Sequence, residues 1–211
     1  MRFASRYPTL FLRAYVHVKT ATDPAYEAVF EVLRDSSESV LDLGCGIGAL
    51  ALYLRERGCS VPISGIDQDR RKVEIARAAV DGDQELCFAA GDVRAVGDFA
   101  PTVILLDVLH YLTDAEQAAL LSQLAARATT VIIRDGLRDG TWRYRATFAQ
   151  ESLARAAGWL RVERLNFPPR ESIEAPFRGT FDLDVRPMFG RMPFNNYLFV
   201  FRRSSSGTTK A

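Results

Sequence analysis

Residues 41–48 read Leu41-Asp42-Leu43-Gly44-Cys45-Gly46-Ile47-Gly48, and the next residue is Ala49. Upstream, 39–43 is a short apolar run that ends on glycines, as a buried strand does. Downstream, 48–59 ("GALALYLRERGC") spaces its apolar residues as a helix does and stops at Gly58. Strand, glycine turn and helix in that order form the first unit of an α/β sheet. The alternation then continues. Strand patterns at 61–67, 85–92, 102–108, 129–136, 160–167 and 195–203 are interleaved with helical ones at 69–80, 113–128 and 145–159. Before the loop, Asp23-Pro24 is an N-cap with proline at the first helical position, so 25–37 begins as a helix. Seven strands with helices between them predict a doubly wound Rossmann-like sheet covered on both faces.

A chain of 211 residues, 48% hydrophobic and 25% charged, has the mixture of one ordinary globular domain, here expected over 1–203. A helical cap is expected at about 5–35. The stretch 167–194 carries five prolines and reads as an irregular insertion of the kind that forms a lid or substrate wall; 204–211 reads as a disordered tail. The net charge of +1 gives no field that argues for nucleic acid or a membrane surface. It is unevenly spread: from residue 130 onward fourteen Lys and Arg face eight Asp and Glu, so this half is basic and suits an anionic substrate or an acidic carrier protein. Cys45, Cys59 and Cys87 lack disulfide or metal-ligand spacing, so no metal is expected and a reducing cytoplasm fits. No signal peptide or membrane span is read.

Gly44, Gly46 and Ala49 satisfy the loose dinucleotide pattern G-x-G-x-x-G/A. Asp42 argues against that ligand, because a carboxylate beside the loop repels a pyrophosphate. S-adenosylmethionine brings a sulfonium and an ammonium group, which a carboxylate attracts. Three more acids follow at strand ends. Asp67 is placed for two ribose hydroxyls, Asp92 for an adenine amino group with the Val93 N–H beside it, and Asp107 for the reacting end.

"VLDLGCGIG", "GIDQD", "AAGDV", "VILLDVLHYL" and "VIIRDG" together resemble the successive motifs of class I S-adenosylmethionine-dependent methyltransferases, over about 38–136 and more loosely to 203. The resemblance implies a mostly parallel seven-stranded sheet with an antiparallel last strand, whose final hairpin 160–167 and 195–203 would supply. It implies that Gly44, Cys45, Gly46 and Gly48 contact the methionine part, Asp67 and Gln68 the ribose, Asp92 and Val93 the adenine, and Asp107 and Val108 the reactive end. An NAD-dependent oxidoreductase remains the competing enzyme, though no Tyr-x-x-x-Lys pair is evident. A non-catalytic S-adenosylmethionine-binding protein would share the loop.

On the acceptor side, His110 follows Asp107 by three residues and is the expected base, and Asp135, at the end of the fifth strand, is a second catalytic candidate expected to point toward the crevice. Tyr111, Trp142 and Arg143 are expected to line a small-molecule substrate pocket, an aromatic among cations. "DPAYEAVF", "LLDVLHYL", "TWRYR" and "PFNNYLFVFRR" are similar to methyltransferases accompanying bacterial aryl-polyene (xanthomonadin-like) pigment clusters. That similarity implies a hydroxyaryl acceptor in secondary metabolism, free or attached to an acyl carrier protein.

Overall fold

The computed structural model describes residues 2–156, 165–189 and 193–204. Five strands run parallel: β1 (Val40–Leu43), β2 (Ile63–Asp67), β3 (Leu86–Ala90), β4 (Thr102–Leu106) and β5 (Thr130–Gly136). β6 (Phe181–Pro187) and β7 (Asn196–Arg203) complete one sheet of order β3-β2-β1-β4-β5-β7-β6, with β7 antiparallel to both neighbours. This is the Rossmann-like fold of class I methyltransferases. Strand order reverses between β1 and β4, so their carboxyl ends open the crevice where such sheets bind ligands.

Side chains alternate across the strands and build a separate core on each face. Val40, Ile104, Ile132, Leu198 and Val200 face one core with α2 (Pro24–Leu33), α3 (Ala49–Glu56) and α4 (Arg70–Ala79). Leu41, Leu43, Val103, Val131, Ile133 and Phe199 face the other, against α5 (Asp114–Arg127) and α7 (Arg170–Glu174). Sequence parity therefore assigns functional side chains to faces: Asp42 shares the first face with Val40, Arg134 with Ile132, and Asp135 shares the second with Ile133. Thr113 starts α5 with a reciprocal capping box to Glu116. α1 (Leu10–Thr22) ends and α2 begins at Asp23, whose side chain accepts the Ala25 N–H. α6 (Trp142–Ala156) follows β5. No helix among the described residues is long and apolar enough to cross a membrane.

The sixth strand is not where the sequence pattern put it. Residues 160–164 of the expected strand lie outside the described ones. Its end is irregular, with the Asn166 N–H donating to the His110 carbonyl at 2.7 Å rather than joining a ladder. The partner of β7 is instead Phe181–Pro187, inside the stretch expected to be irregular, which also holds α7. The signal was present: Phe181, Leu183 and Val185 alternate with Asp182, Asp184 and Arg186, the pattern of a charged edge strand, and flanking prolines obscured it. Of the expected tail, 205–211 lies outside the described residues.

Candidate active site

Each parallel strand delivers one aspartate at or just past its carboxyl end: Asp42 on β1, Asp67 on β2, Asp92 after β3, Asp107 after β4 and Asp135 on β5. The first four line a single cleft of about 1510 Å³, together with Gly44, Cys45, Gly46, Gln68, Val93, Val108 and Tyr111. That volume exceeds the roughly 300–1,000 Å³ typical of one small-molecule pocket, so a cofactor and an acceptor fit side by side. Tyr15, Lys19 and Tyr26 reach the cleft from α1 and α2, and Gln150 and Glu151 from α6. Since β3 and β7 stand on opposite sides of β1 and β4, the cleft has two ends. Asp67, Gln68, Asp92 and Val93 form one, and Tyr111, Glu151 and Phe189 stand at the other.

The three loop glycines have different reasons to be glycine. All have left-handed backbone, with φ of 80° at Gly44, 57° at Gly46 and 75° at Gly48. A Cβ on Gly44 would lie 2.4 Å from Val108 Cγ2, and one on Gly48 would lie 2.9 Å from the Phe88 ring. Both are closed against protein, and Gly48, expected at the cofactor, does not line the cleft but starts α3. Of the three, Gly46 alone has nothing among the described residues within 4 Å of such a Cβ, so the loop's open backbone is there. Asp67 fixes it: one carboxylate oxygen accepts the Gly46 N–H at 2.9 Å and the other the Asp69 N–H at 2.8 Å.

Asp42 is nearly fully buried, and its carboxyl is pushed up to about 7 by that burial and by the neighbouring Asp67 carboxylate. Burial likewise raises the Cys45 thiol. Asp92 has a partner the sequence did not reveal. It caps the turn Val93–Ala95, its side chain meets the Arg94 guanidinium, and Arg94 also reaches Glu116 on α5. The hydrogen-bonded Arg94 guanidinium holds the Asp92 carboxyl below its ordinary value.

Asp107 has φ of 61°, a left-handed conformation that costs a non-glycine residue about 1–2 kcal/mol. An ion pair with Arg134 holds it there, and the same guanidinium takes both oxygens of Asp23 at 3.0 and 2.8 Å. Arg134 is buried and lines the cleft, and its place within "VIIRDG" carries no local signal of that role. It ties the α1–α2 junction to the strand end beside the cleft.

His110 and Asp135 meet at 2.6 Å between Nδ1 and Oδ1, and Asp135 also accepts the backbone N–H groups of His110 and Gly136. Asp135 raises the His110 imidazole pKa against the opposing effect of burial. Neither residue lines the cleft. The imidazole is 2% exposed, stacked on Phe167 at 4.7 Å and covered by Tyr111 at 4.0 Å, and its Nε2 is buried without a hydrogen-bond partner among the described residues. Trp142 is 62% exposed and does not line the cleft. Arg143 stacks over Trp142 and over Phe189, and only the latter lines it. Glu151 was missed altogether. It faces the cleft from α6, within 3.4 Å of the Tyr111 hydroxyl.

Residues 40–129 match the family model of a methyltransferase domain. Ribosomal protein L11 methyltransferase of Burkholderia ambifaria is 36% identical over 84 residues, covering 38% of this chain and 28% of that protein. Magnesium-protoporphyrin O-methyltransferase of Synechocystis is 34% identical over 97 residues, covering 44% of this chain and 42% of the relative. The chain thus spans less than half the length of these curated relatives. Their named acceptors, a ribosomal protein and a porphyrin, have nothing in common. The crystal structure of the magnesium protoporphyrin IX methyltransferase from Synechocystis with bound SAH superposes with a TM-score of 0.67 at 21% identity, over 96% of this chain and 92% of that one, a likeness of fold.

Proposed function

We propose that this chain, with a methyltransferase domain at residues 40–129, is an S-adenosylmethionine-dependent methyltransferase acting on a small molecule. The carrying observation is the carboxylate set around the open loop. Asp42, Asp67 and Asp107 all line the cleft, and burial makes the Asp42 charge costly until a cation joins it. A pyrophosphate there would add to the repulsion, which disfavours a nicotinamide dinucleotide.

The residues present fit this cofactor. Gly46 leaves its backbone open on the cleft side. Asp67 spends two of about four lone-pair directions on backbone donors and keeps two for the ribose diol. Gln68 stands beside it, Asp92 and Val93 take the adenine, and Lys19 faces Asp107 near the methionine end. When bound, S-adenosylmethionine supplies a methyl group on a sulfonium, already activated for displacement. The protein's part is then to hold an acceptor in line and exclude water. We assign His110 and Asp135 to positioning rather than to taking the acceptor's proton: they brace Tyr111 and Phe167 from behind the acceptor end.

The finer reading is a hydroxyaryl acceptor, presented free or on an acyl carrier protein, in the secondary metabolism that the resemblance to aryl-polyene-cluster methyltransferases implies. Tyr111, Phe189 and Phe194 at the cleft support an aromatic acceptor, and the basic C-terminal half supports an acidic carrier. A cytoplasmic setting suits the three free cysteines. The test is incubation with S-adenosylmethionine and a panel of phenols, aryl acids and carrier-bound aryl acyl groups, followed by mass spectrometry. One added methyl on a panel member, with release of S-adenosylhomocysteine, is expected. Cofactor binding without transfer to any of them would favour a non-catalytic binding protein.

A further inference from the structure

The structure separates the His110–Asp135 pair from Glu151 by access to an acceptor. His110 and Asp135 lie behind Tyr111 and Phe167 and do not touch the cleft. Glu151 does. It sits on α6 one turn beyond Thr147, whose hydroxyl accepts the Asn195 N–H at 2.7 Å and so fixes this part of the helix beside the strand end that leads into β7. Its carboxylate accepts from the Tyr111 hydroxyl at 3.4 Å, a long bond that leaves most of its acceptor capacity unused. Tyr111 and Phe189 both line this cleft and add aromatic surface for a planar guest.

Building on the methyltransferase reading, we propose that Glu151 is the acceptor-binding carboxylate and the base of the reaction, and that it selects an aromatic ring bearing a hydroxyl. The hydroxyl donates to Glu151 while Tyr111 keeps the carboxylate turned toward the cleft. On transfer the acceptor oxygen forms its bond to the methyl carbon, the carbon–sulfur bond breaks, and the hydroxyl proton passes to the Glu151 carboxylate. The products are the methyl ether, S-adenosylhomocysteine and a neutral Glu151, which returns its proton to solvent through the open cleft. Burial, with Asp107 and Asp135 nearby, raises the carboxyl above its ordinary value despite the opposing His110 imidazole, which moves it toward the range useful to a base. A cationic amine is the competing guest, because Glu151 and Asp107 line the same cleft and would also attract an ammonium group.

Calorimetry on the full chain tests this without a known acceptor. Wild type and Glu151→Gln are first titrated with S-adenosylhomocysteine, then, saturated with it, with methyl 4-hydroxybenzoate, its methyl ether methyl 4-methoxybenzoate, and 2-phenylethylamine. Equal affinity of both proteins for S-adenosylhomocysteine shows that the variant is folded. The phenol should bind wild type and lose roughly 10- to 100-fold in Glu151→Gln, the range for a hydrogen bond to a charged group, while the ether binds weakly to both. The phenol's affinity for wild type should also rise with pH as Glu151 ionises, and that rise should be absent in the variant. Phenol binding that is undetectable, or equal in the two proteins, overturns the Glu151 assignment; tighter binding of the amine overturns the hydroxyaryl class. Failure of wild type to bind S-adenosylhomocysteine would instead overturn the methyltransferase reading beneath it.

Discussion

Replacing Asp42 by asparagine should make the cofactor-free protein more stable at alkaline pH while weakening its hold on a cationic ligand. The Asp42 carboxyl stands at 3.8 when unfolded and is raised to about 7 in the fold by burial and by Asp67. A raised carboxylate pKa means that the native state binds the extra proton between these values, so stability falls as pH rises through that window. At roughly 1.4 kcal/mol per unit, the full loss by pH 8 is about 4 kcal/mol, of which some 2.5 kcal/mol accrues between pH 5 and pH 8. Asparagine has no such titration. Its own packing and hydrogen-bonding cost is independent of pH and cancels when the two pH values are compared. Urea unfolding of wild type and Asp42→Asn at pH 5 and pH 8 should therefore show the variant gaining about 2.5 kcal/mol relative to wild type over that interval. Calorimetry at pH 8 should show S-adenosylmethionine binding roughly 10- to 100-fold more weakly to the variant, as for loss of a charge-assisted hydrogen bond. A stability difference that is the same at both pH values would refute the reasoning from burial, and unchanged cofactor affinity would remove Asp42 from the site.

Other substitutions separate the remaining roles. Gly44→Ala should destabilise by about 2–3 kcal/mol through left-handed strain plus collision with Val108, and Val108→Ala should restore part of it, as urea unfolding would show. Gly46→Ala should cost only about 1 kcal/mol of stability yet lose S-adenosylhomocysteine affinity, since its methyl group enters the cleft. Arg134→Met should destabilise by about 3–5 kcal/mol by leaving Asp23 and Asp107 unpaired, with no recovery in Arg134→Lys, because one ammonium cannot span both partners. For the His110–Asp135 pair, the histidine pKa is raised above 6.5, so its stabilisation is fully present below that pH and is lost as pH rises through the raised value. His110→Gln should then cost about 3 kcal/mol near pH 6 and progressively less in alkali; a cost that grows with pH would contradict this.

What the sequence made legible follows from local rules. Hydrophobic period and glycine turns placed five parallel strands and their helices, because each βα unit is nearly self-contained in sequence. The acids Asp42, Asp67, Asp92 and Asp107 were readable for the same reason: each sits at a strand's carboxyl end, where the fold forces a shared crevice. Pairings between distant segments were not legible. Nothing in residues 160–167 tells that Asn166 and Phe167 close over His110 and bury it away from the cleft. Arg134 and Asp23 are 111 residues apart, and their contact depends on the α1–α2 junction docking above β5. Glu151 lay inside an unexceptional amphipathic helix, and only the docking of α6 beside the turn after β4 gives it a role. The strand β6 was missed for a different reason, since its alternation was present but lay among prolines that usually mark loops.

The central claim is that the loop at Gly44–Gly46 and its carboxylates hold a cationic adenosyl cofactor. Calorimetric titration of the full chain with S-adenosylmethionine, S-adenosylhomocysteine, NAD and NADH tests it most directly. Saturable one-site binding of both adenosyl compounds, weakened by Asp67→Ala about 10- to 100-fold and accompanied by no detectable binding of either dinucleotide, is predicted. Tight binding of NAD or NADH with none of S-adenosylmethionine would contradict it.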